Sequence, residues 1–200
     1  MAKRRGFLAL TLAAGVVLAS VSGSQAAEVK ERVMGDPNAP LAIVEYASYS
    51  CPHCAAFHDE TLPTIKARYI DTGKAKLVYR EFPLDQSALT ASVLAQCAGD
   101  RYFQFSDAFF SSQAEWAGAA DPKAALVNLA RLGGLSPDQI DACLADEAMT
   151  DAVLQMRLDG AQKHEIASTP SFLIGDDLVA GDVGPEAMSA AIDKALAAKG

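Results

Sequence analysis

Hydrophobic and polar positions divide the chain into segments of different texture. An apolar stretch from Phe7 to about Ala19 follows Lys3-Arg4-Arg5 and ends in Ser24-Gln25-Ala26. A basic start, an apolar core and small residues at the cleavage positions form the pattern of an export signal peptide, spanning 1–26 and cut near Ala26. The run falls short of the ~20 apolar residues of a spanning helix and contains Gly15, which favours a cleaved leader over an anchor. The arginine pair leaves both the general secretory (Sec) and the twin-arginine route open.

Beyond the polar stretch Asp36-Pro37-Asn38-Ala39-Pro40, the run Leu41-Ala42-Ile43-Val44-Glu45-Tyr46 is almost continuously apolar, as in a central strand covered on both faces. Cys51-Pro52 follows. Proline suits the first turn of a helix because its missing N–H would be unpaired there, so Cys51 is expected at a helix N-terminus. That helix is predicted through Phe57, Leu62, Ile65 and Tyr69 to Gly73, kinked near Pro63 where one internal hydrogen bond is lost. A second strand is predicted from Ala75 to Phe82. Strand, helix and strand at this spacing form a βαβ unit with parallel strands.

From about Gln86 to Ile166 strand-like alternation disappears, and helical spacing recurs between breaks at Gly99-Asp100, Gly118 to Asp121, Gly133-Gly134 and Ser136-Pro137. An all-helical insertion is expected at 86–166, inside an α/β domain made of 27–85 and 167–200. Leu126, Leu129, Ala130 and Leu132 read as a core stripe, and Ser136-Pro137-Asp138 as the start of a helix carrying Ile140 and Leu144. Strand character returns in Ser171-Phe172-Leu173-Ile174, turns at Gly175-Asp176 and resumes in Asp177-Leu178-Val179-Ala180, a hairpin. Pro185 opens a last helix with Met188, Ala191, Ile192, Ala195 and Leu196 on one face.

Two hundred residues, half of them apolar, are enough for one domain with a substantial core, with or without an insertion. Cleavage of the leader removes three basic and no acidic residues, taking the formal charge from −8 to −11. So acidic a body is unsuited to binding nucleic acid or anionic lipid through charge.

Four cysteines in an exported chain make disulfides chemically permitted. Cys51 and Cys54, three apart at a helix start, can close a small ring in which the first sulfur lies at the positive end of the helix dipole, close to unpaired N–H groups. Cys51 is therefore the expected nucleophile. The same C-x-x-C spacing also supplies half of many zinc sites. Cys51, Cys54 and His58 could share a helical face, but no second C-x-x-C and no H-x-x-x-H completes a metal site. A purely structural disulfide is the other alternative, although so tight a ring is a poor staple beside a long-loop bridge. His53, between the cysteines, can stabilise a Cys51 thiolate, and a stabilised reduced form makes the disulfide a stronger oxidant; the plainer reading is an exposed histidine. Glu45, a carboxylate in an apolar strand six residues before Cys51, is suited to carry the Cys54 proton, or else pairs with Lys76 or Arg80 of the neighbouring strand.

Taken together, Cys51-Pro52-His53-Cys54 after a buried strand, Glu45 upstream, the helical block and Thr169-Pro170 before the late hairpin resemble the thioredoxin superfamily, and within it the periplasmic disulfide oxidases of the DsbA type. The resemblance covers nearly the whole mature chain and implies an α/β thioredoxin fold with an inserted all-helical domain. It implies that Cys51 is the attacked and attacking sulfur, Cys54 the buried resolving partner and His53 the thiolate stabiliser. Pro52, Thr169 and a cis Pro170 would line the substrate groove. The implied function is a protein thiol-disulfide oxidoreductase that passes its Cys51–Cys54 disulfide to folding exported proteins with free cysteines. It would need no cofactor and no metal, and a membrane quinone-linked protein would reoxidise it.

Some members of that family carry an aliphatic residue at the Thr169 position, and Cys97 and Cys143 are additional to the minimal catalytic pattern. A structural disulfide between the latter two is expected, with a second redox centre or two free thiols as alternatives. A reductase or isomerase of the same superfamily is the nearest competing function. Isomerases of this fold usually carry a dimerisation domain, for which the segment between Ala27 and Leu41 leaves no room, so a monomer is expected. A non-catalytic exported binding protein on the same scaffold is the competing reading of a different class.

Overall fold

The computed structural model describes Met1, Val29 and residues 31–199. Apart from Met1, the expected leader, 1–26, lies outside the described residues, as do residues 27, 28 and 30 of the mature chain. Within them, no helix is long and apolar enough to cross a membrane.

A five-stranded mixed sheet forms the centre. Its strands are β1 (Arg32–Met34), β2 (Leu41–Ala47), β3 (Ala75–Glu81), β4 (Ser171–Ile174) and β5 (Asp177–Ala180), in spatial order β1-β3-β2-β4-β5. β2 and β3 run parallel, with Leu41 beside Ala75 and Glu45 beside Tyr79. β4 pairs antiparallel with β2 and places Phe172 on the other side of Glu45. β1 lies antiparallel to β3 at the edge; the segment before Leu41 was not expected to contain a strand, because three residues are too short to show a period.

Helix α1 (52–70) connects β2 to β3. It alternates α-helical stretches, Pro52–Ala56 and Leu62–Ile65, with π-type turns, Phe57–Thr61 and Lys66–Ile70. Pro63 has no N–H to give, and the Leu62 N–H reaches back to the Phe57 carbonyl, so a widened turn absorbs the missing bond.

Between β3 and β4 every element is helical: α2 (Gln86–Cys97), a 3₁₀ turn, α3 (Tyr102–Ser111), α4 (Gln113–Ala117), α5 (Pro122–Leu132), α6 (Pro137–Leu144) and α7 (Glu147–Lys163). Asp85, Asp121 and Asp146 cap α2, α5 and α7 by accepting a backbone N–H, and Ser136 forms a capping box with Gln139 at the start of α6. The last helix, α8 (Gly184–Ala197), buries Met188, Ile192 and Ala195, the face its spacing predicts.

Alternation along β2 divides the core. Leu41 and Ile43 pack with Phe57, Ile65, Phe172 and Ile192 under α1 and α8. Tyr46, on the opposite face, packs with Phe82 and Ile166. There Gly160 of α7 lies against Tyr46: a Cβ added to it would stand 2.6 Å from Cε1 of that ring.

In the helical region Leu126, Ala130 and Ile140 are buried and Leu129 and Leu144 partly so, but Leu132 is 85% exposed, contrary to the predicted stripe. Six residues beyond Leu126, it has rotated about 240° around the helix and off the buried face. A disulfide joins Cys97 at the end of α2 to Cys143 of α6, with the Cα atoms 6.2 Å apart.

Candidate active site

Cys51 stands at the N-cap of α1 and Pro52 in its first turn. Pro52 and His53 are exposed, whereas Cys51 and Cys54 are buried and carry free thiols. The Cys51 pKa is lowered from 9.0 to about 5. The Cys54 thiol contributes most by hydrogen bonding to the Cys51 sulfur, burial opposes it, and Thr169 and the backbone N–H groups of Cys54 and His53 contribute in the same direction as Cys54. His53 thus reaches the sulfur through its main chain, while its imidazole remains in solvent.

Burial pushes the Cys54 thiol in the opposite direction, far above its ordinary range, and the Cys51 sulfur and the Glu45 carboxylate push it further. The two sulfurs differ sharply. One, at the helix start, is a thiolate at neutral pH; the other holds its proton.

Thr169 and Pro170, on the loop before β4, face this pair. The Thr169–Pro170 bond is cis, and as a thiol Cys51 donates to the Thr169 carbonyl oxygen at 3.2 Å. Both residues are buried.

Glu45 is fully buried and accepts from, or shares a proton with, His58 Nε2 at 3.0 Å. Neither Lys76 nor Arg80 pairs with it. The register places Arg80 beside Tyr46 and Lys76 beside Ala42, so both project from the face opposite Glu45; Arg80 pairs with Glu31, and Lys76 donates to the Pro37 carbonyl. His58 therefore faces a strand carboxylate instead of sharing a ligand face with the cysteines, and among the described residues no group of three or more histidine, cysteine or acidic side chains could hold a metal ion.

Two neighbours of the site had no signal in the sequence. Gln113 of α4, buried, donates through Nε2 to the carbonyls of Tyr49 (2.6 Å) and Cys51 (3.0 Å), fastening the active-site turn to the helical region. Glu81, at the end of β3, is fully buried and accepts from Tyr102 (2.6 Å), Ser92 (2.7 Å) and Gln96 (3.2 Å). Burial raises the Glu81 pKa, and these donors oppose the rise.

A parallel strand pair crossed over by a helix, a dithiol at the start of that helix and a cis-proline loop against the sulfurs define a thioredoxin-fold dithiol protein. The profile of the family described as Thioredoxin matches residues 27–194. Wolbachia pipientis α-DsbA1 superposes with a TM-score of 0.78 at 32% identity, over 84% of this chain and 92% of that one. The chain belongs to the thioredoxin family and is closely related to its DsbA-type thiol-disulfide oxidoreductases.

A solved protein-disulfide isomerase from Novosphingobium aromaticivorans is similar at 25% identity and a TM-score of 0.72, over 83% of this chain and 97% of that one. A Rickettsia bellii protein, provisionally named a protein-disulfide oxidoreductase, is 33% identical over 168 residues, 83% of this chain. The chain spans 64% of that protein's length and 60% of its Rickettsia felis counterpart's.

Proposed function

We propose that this protein is an exported dithiol oxidase that transfers the Cys51–Cys54 disulfide to folding proteins with free cysteines in the periplasm. The observation that carries the reading is the divergence of the two sulfurs: Cys51 is held as a thiolate with a pKa of about 5, and Cys54 is held protonated. Stabilising the thiolate stabilises the reduced enzyme, which makes its disulfide the better oxidant and Cys51 the better leaving group.

In the cycle, a substrate thiolate attacks Cys51 Sγ, the Cys51–Cys54 bond breaks and Cys54 takes up a proton. A second substrate thiolate then attacks the substrate sulfur of the mixed disulfide and expels Cys51 as a thiolate. Two electrons pass from the substrate thiols to the enzyme. Glu45 serves as the acid and base for Cys54, His53 supports the Cys51 thiolate, and an extended substrate segment docks beside Pro52, Thr169 and Pro170.

Neither metal nor organic cofactor enters this chemistry. A quinone-linked membrane protein restores the disulfide, the enzyme acts as a monomer, and Cys97–Cys143 is a structural staple. The division into 27–85 with 167–200 and an insertion at 86–166 belongs to the same proposal, as does a leader cut near Ala26.

The test is the reduction potential of the Cys51–Cys54 pair in glutathione buffers, with a Cys97→Ser, Cys143→Ser variant as control. A potential well above that of the glutathione pool supports a disulfide donor. A thioredoxin-like value moves the assignment to a reductase or isomerase, and no reversible exchange removes it from redox chemistry.

A further inference from the structure

Whichever way the exchange runs, the Cys54 proton must cross the protein, because Cys54 is fully buried. When a disulfide-bearing partner reoxidises the pair, the Cys51 thiolate attacks one sulfur of that disulfide, and the other leaves as a thiolate. Cys54 Sγ then attacks Cys51 Sγ, the bond from Cys51 to the partner breaks, and the partner's sulfur departs with the electron pair. The Cys54 proton has to be accepted as the new bond forms. Glu45 is the nearby base, but it is itself fully buried, and of its two carboxylate oxygens only Oε1 has a partner. A base sealed in the core accepts one proton and stops unless something passes that proton on.

His58 is placed to do so. Its Nε2 meets Glu45 Oε1 at 3.0 Å, while Nδ1 is buried with no protein group hydrogen-bonded to it, so this nitrogen remains available to a further proton partner. The ring stacks on Phe110 with centroids 4.2 Å apart and an interplanar angle of 26°, so its orientation is held by packing. His58 also lines a half-open pocket of about 380 Å³, together with Ala55, Ala56, Asp59, Asp107, Phe110 and Ser111. This volume is ample for water, which needs roughly 30 Å³ per molecule and two or more polar partners. An imidazole takes up a proton at one ring nitrogen and releases another from the other, so it can link two compartments that do not touch.

We infer that His58 is a positioning and proton-relay residue, connecting Glu45 on the Cys54 side with the Asp107-rimmed pocket on the solvent side, so that Cys54 can lose and regain its proton during each exchange. The inference rests on the oxidoreductase reading and adds the proton's route. The titratable groups around the ring are Glu45 from β2, Tyr79 from β3, Asp107 from α3 and Asp59 from α1 itself, and the Cys54 thiol in turn feels the Glu45 carboxylate. Tyr79 is held well above its ordinary range by burial and stays neutral. Asp107 and Asp59 are exposed and able to exchange protons with bulk water.

Reduced Cys97→Ser, Cys143→Ser protein mixed with excess oxidised glutathione separates the steps. Attack by Cys51 is first order in oxidised glutathione, whereas ring closure by Cys54 is unimolecular and independent of its concentration. In the same background His58→Gln, which keeps a hydrogen-bonding group near Glu45 but cannot relay a proton, should slow closure by roughly tenfold or more and leave the attack phase unaltered. Closure in the unsubstituted background should also slow in D₂O. Closure at the original rate in His58→Gln, or equal slowing of both phases, would overturn the inference, the second outcome marking His58 as a packing residue only. Should that variant fail to fold, Ser111→Trp covers the pocket mouth from an exposed position: closure slowed alone supports the relay, and unaltered closure overturns it. Absence of any exchange in the unsubstituted background would instead defeat the oxidoreductase reading itself, and the relay with it.

Discussion

Replacing Cys54 with alanine asks which group holds the Cys51 thiolate. In the structure the largest contribution to lowering the Cys51 pKa from 9.0 to about 5 is the hydrogen bond from the Cys54 thiol, ahead of Thr169 and the backbone N–H groups at the helix start. A hydrogen bond to a charged group is worth about 1.5–3 kcal/mol, and one pKa unit corresponds to about 1.36 kcal/mol. Cys54→Ala should therefore raise the Cys51 pKa by about one to two units. Water entering the space of the lost sulfur would replace part of the donor and favour the lower end. Cys54→Ser keeps an O–H donor and should leave the value within about half a unit of the original. Thiolate absorbance near the ultraviolet edge, or the rate of alkylation, followed against pH in both variants, measures the shift. An alanine variant that still titrates at about 5 would refute the reasoning and assign the thiolate to the helix start alone.

Four further expectations follow from the same coordinates. Because the folded Cys51 pKa is depressed, the unfolded reduced chain binds more protons between about pH 5 and 9; the stability that the thiolate adds is fully present above the upper value and is lost as pH falls through the lower one. Thermal unfolding of the reduced protein should thus gain on that of Cys51→Ala as pH rises through this window, and a constant difference would contradict the shift. Cys97→Ser with Cys143→Ser opens a loop with a sequence separation of 46 residues, at a cost of about 4 kcal/mol on the loop-entropy estimate, measurable as a lowered urea midpoint. Gly160→Ala would gain about 1 kcal/mol in helix propensity, yet its methyl group would stand 2.6 Å from the Tyr46 ring, so a net loss of about 1–2 kcal/mol is expected in denaturant titration. Gln113→Leu removes the donors to the Tyr49 and Cys51 carbonyls and should slow attack by Cys51 more than it lowers the melting temperature; a variant with unaltered exchange would show that the turn holds itself.

Much of the fold was legible because its signals are local. The apolar run of β2, Pro52 after Cys51, the Gly175 turn, where φ is 62°, and the spaced apolar face of α8 each express a backbone preference or a burial period within a few residues. Pro63 was legible as an irregularity but not as the π-type turns that absorb it, because how a helix re-forms its hydrogen bonds depends on what packs around it. Leu132 was misplaced because the spacing of apolar residues does not say where the buried arc of a helix ends.

For the site, the residue types and their spacing were enough to mark Cys51 and Cys54 as a candidate dithiol and Glu45 as an anomaly, since a cysteine pair at a helix start and a carboxylate in an apolar strand are visible in one dimension, whereas Thr169-Pro170 stood out only through the family resemblance. Partnership was not visible there. Strand register turned Arg80 and Lys76 to the far face and left Glu45 to His58, thirteen positions away and on another element; the helical region brought Gln113 to the Cys51 carbonyl from more than sixty positions away. The sequence by itself determined the elements and the reactive groups they carry, because period, proline and cysteine spacing act through neighbouring backbone. Only the tertiary structure decided which groups meet, because desolvation and hydrogen bonding depend on distances that the chain sets by folding back on itself.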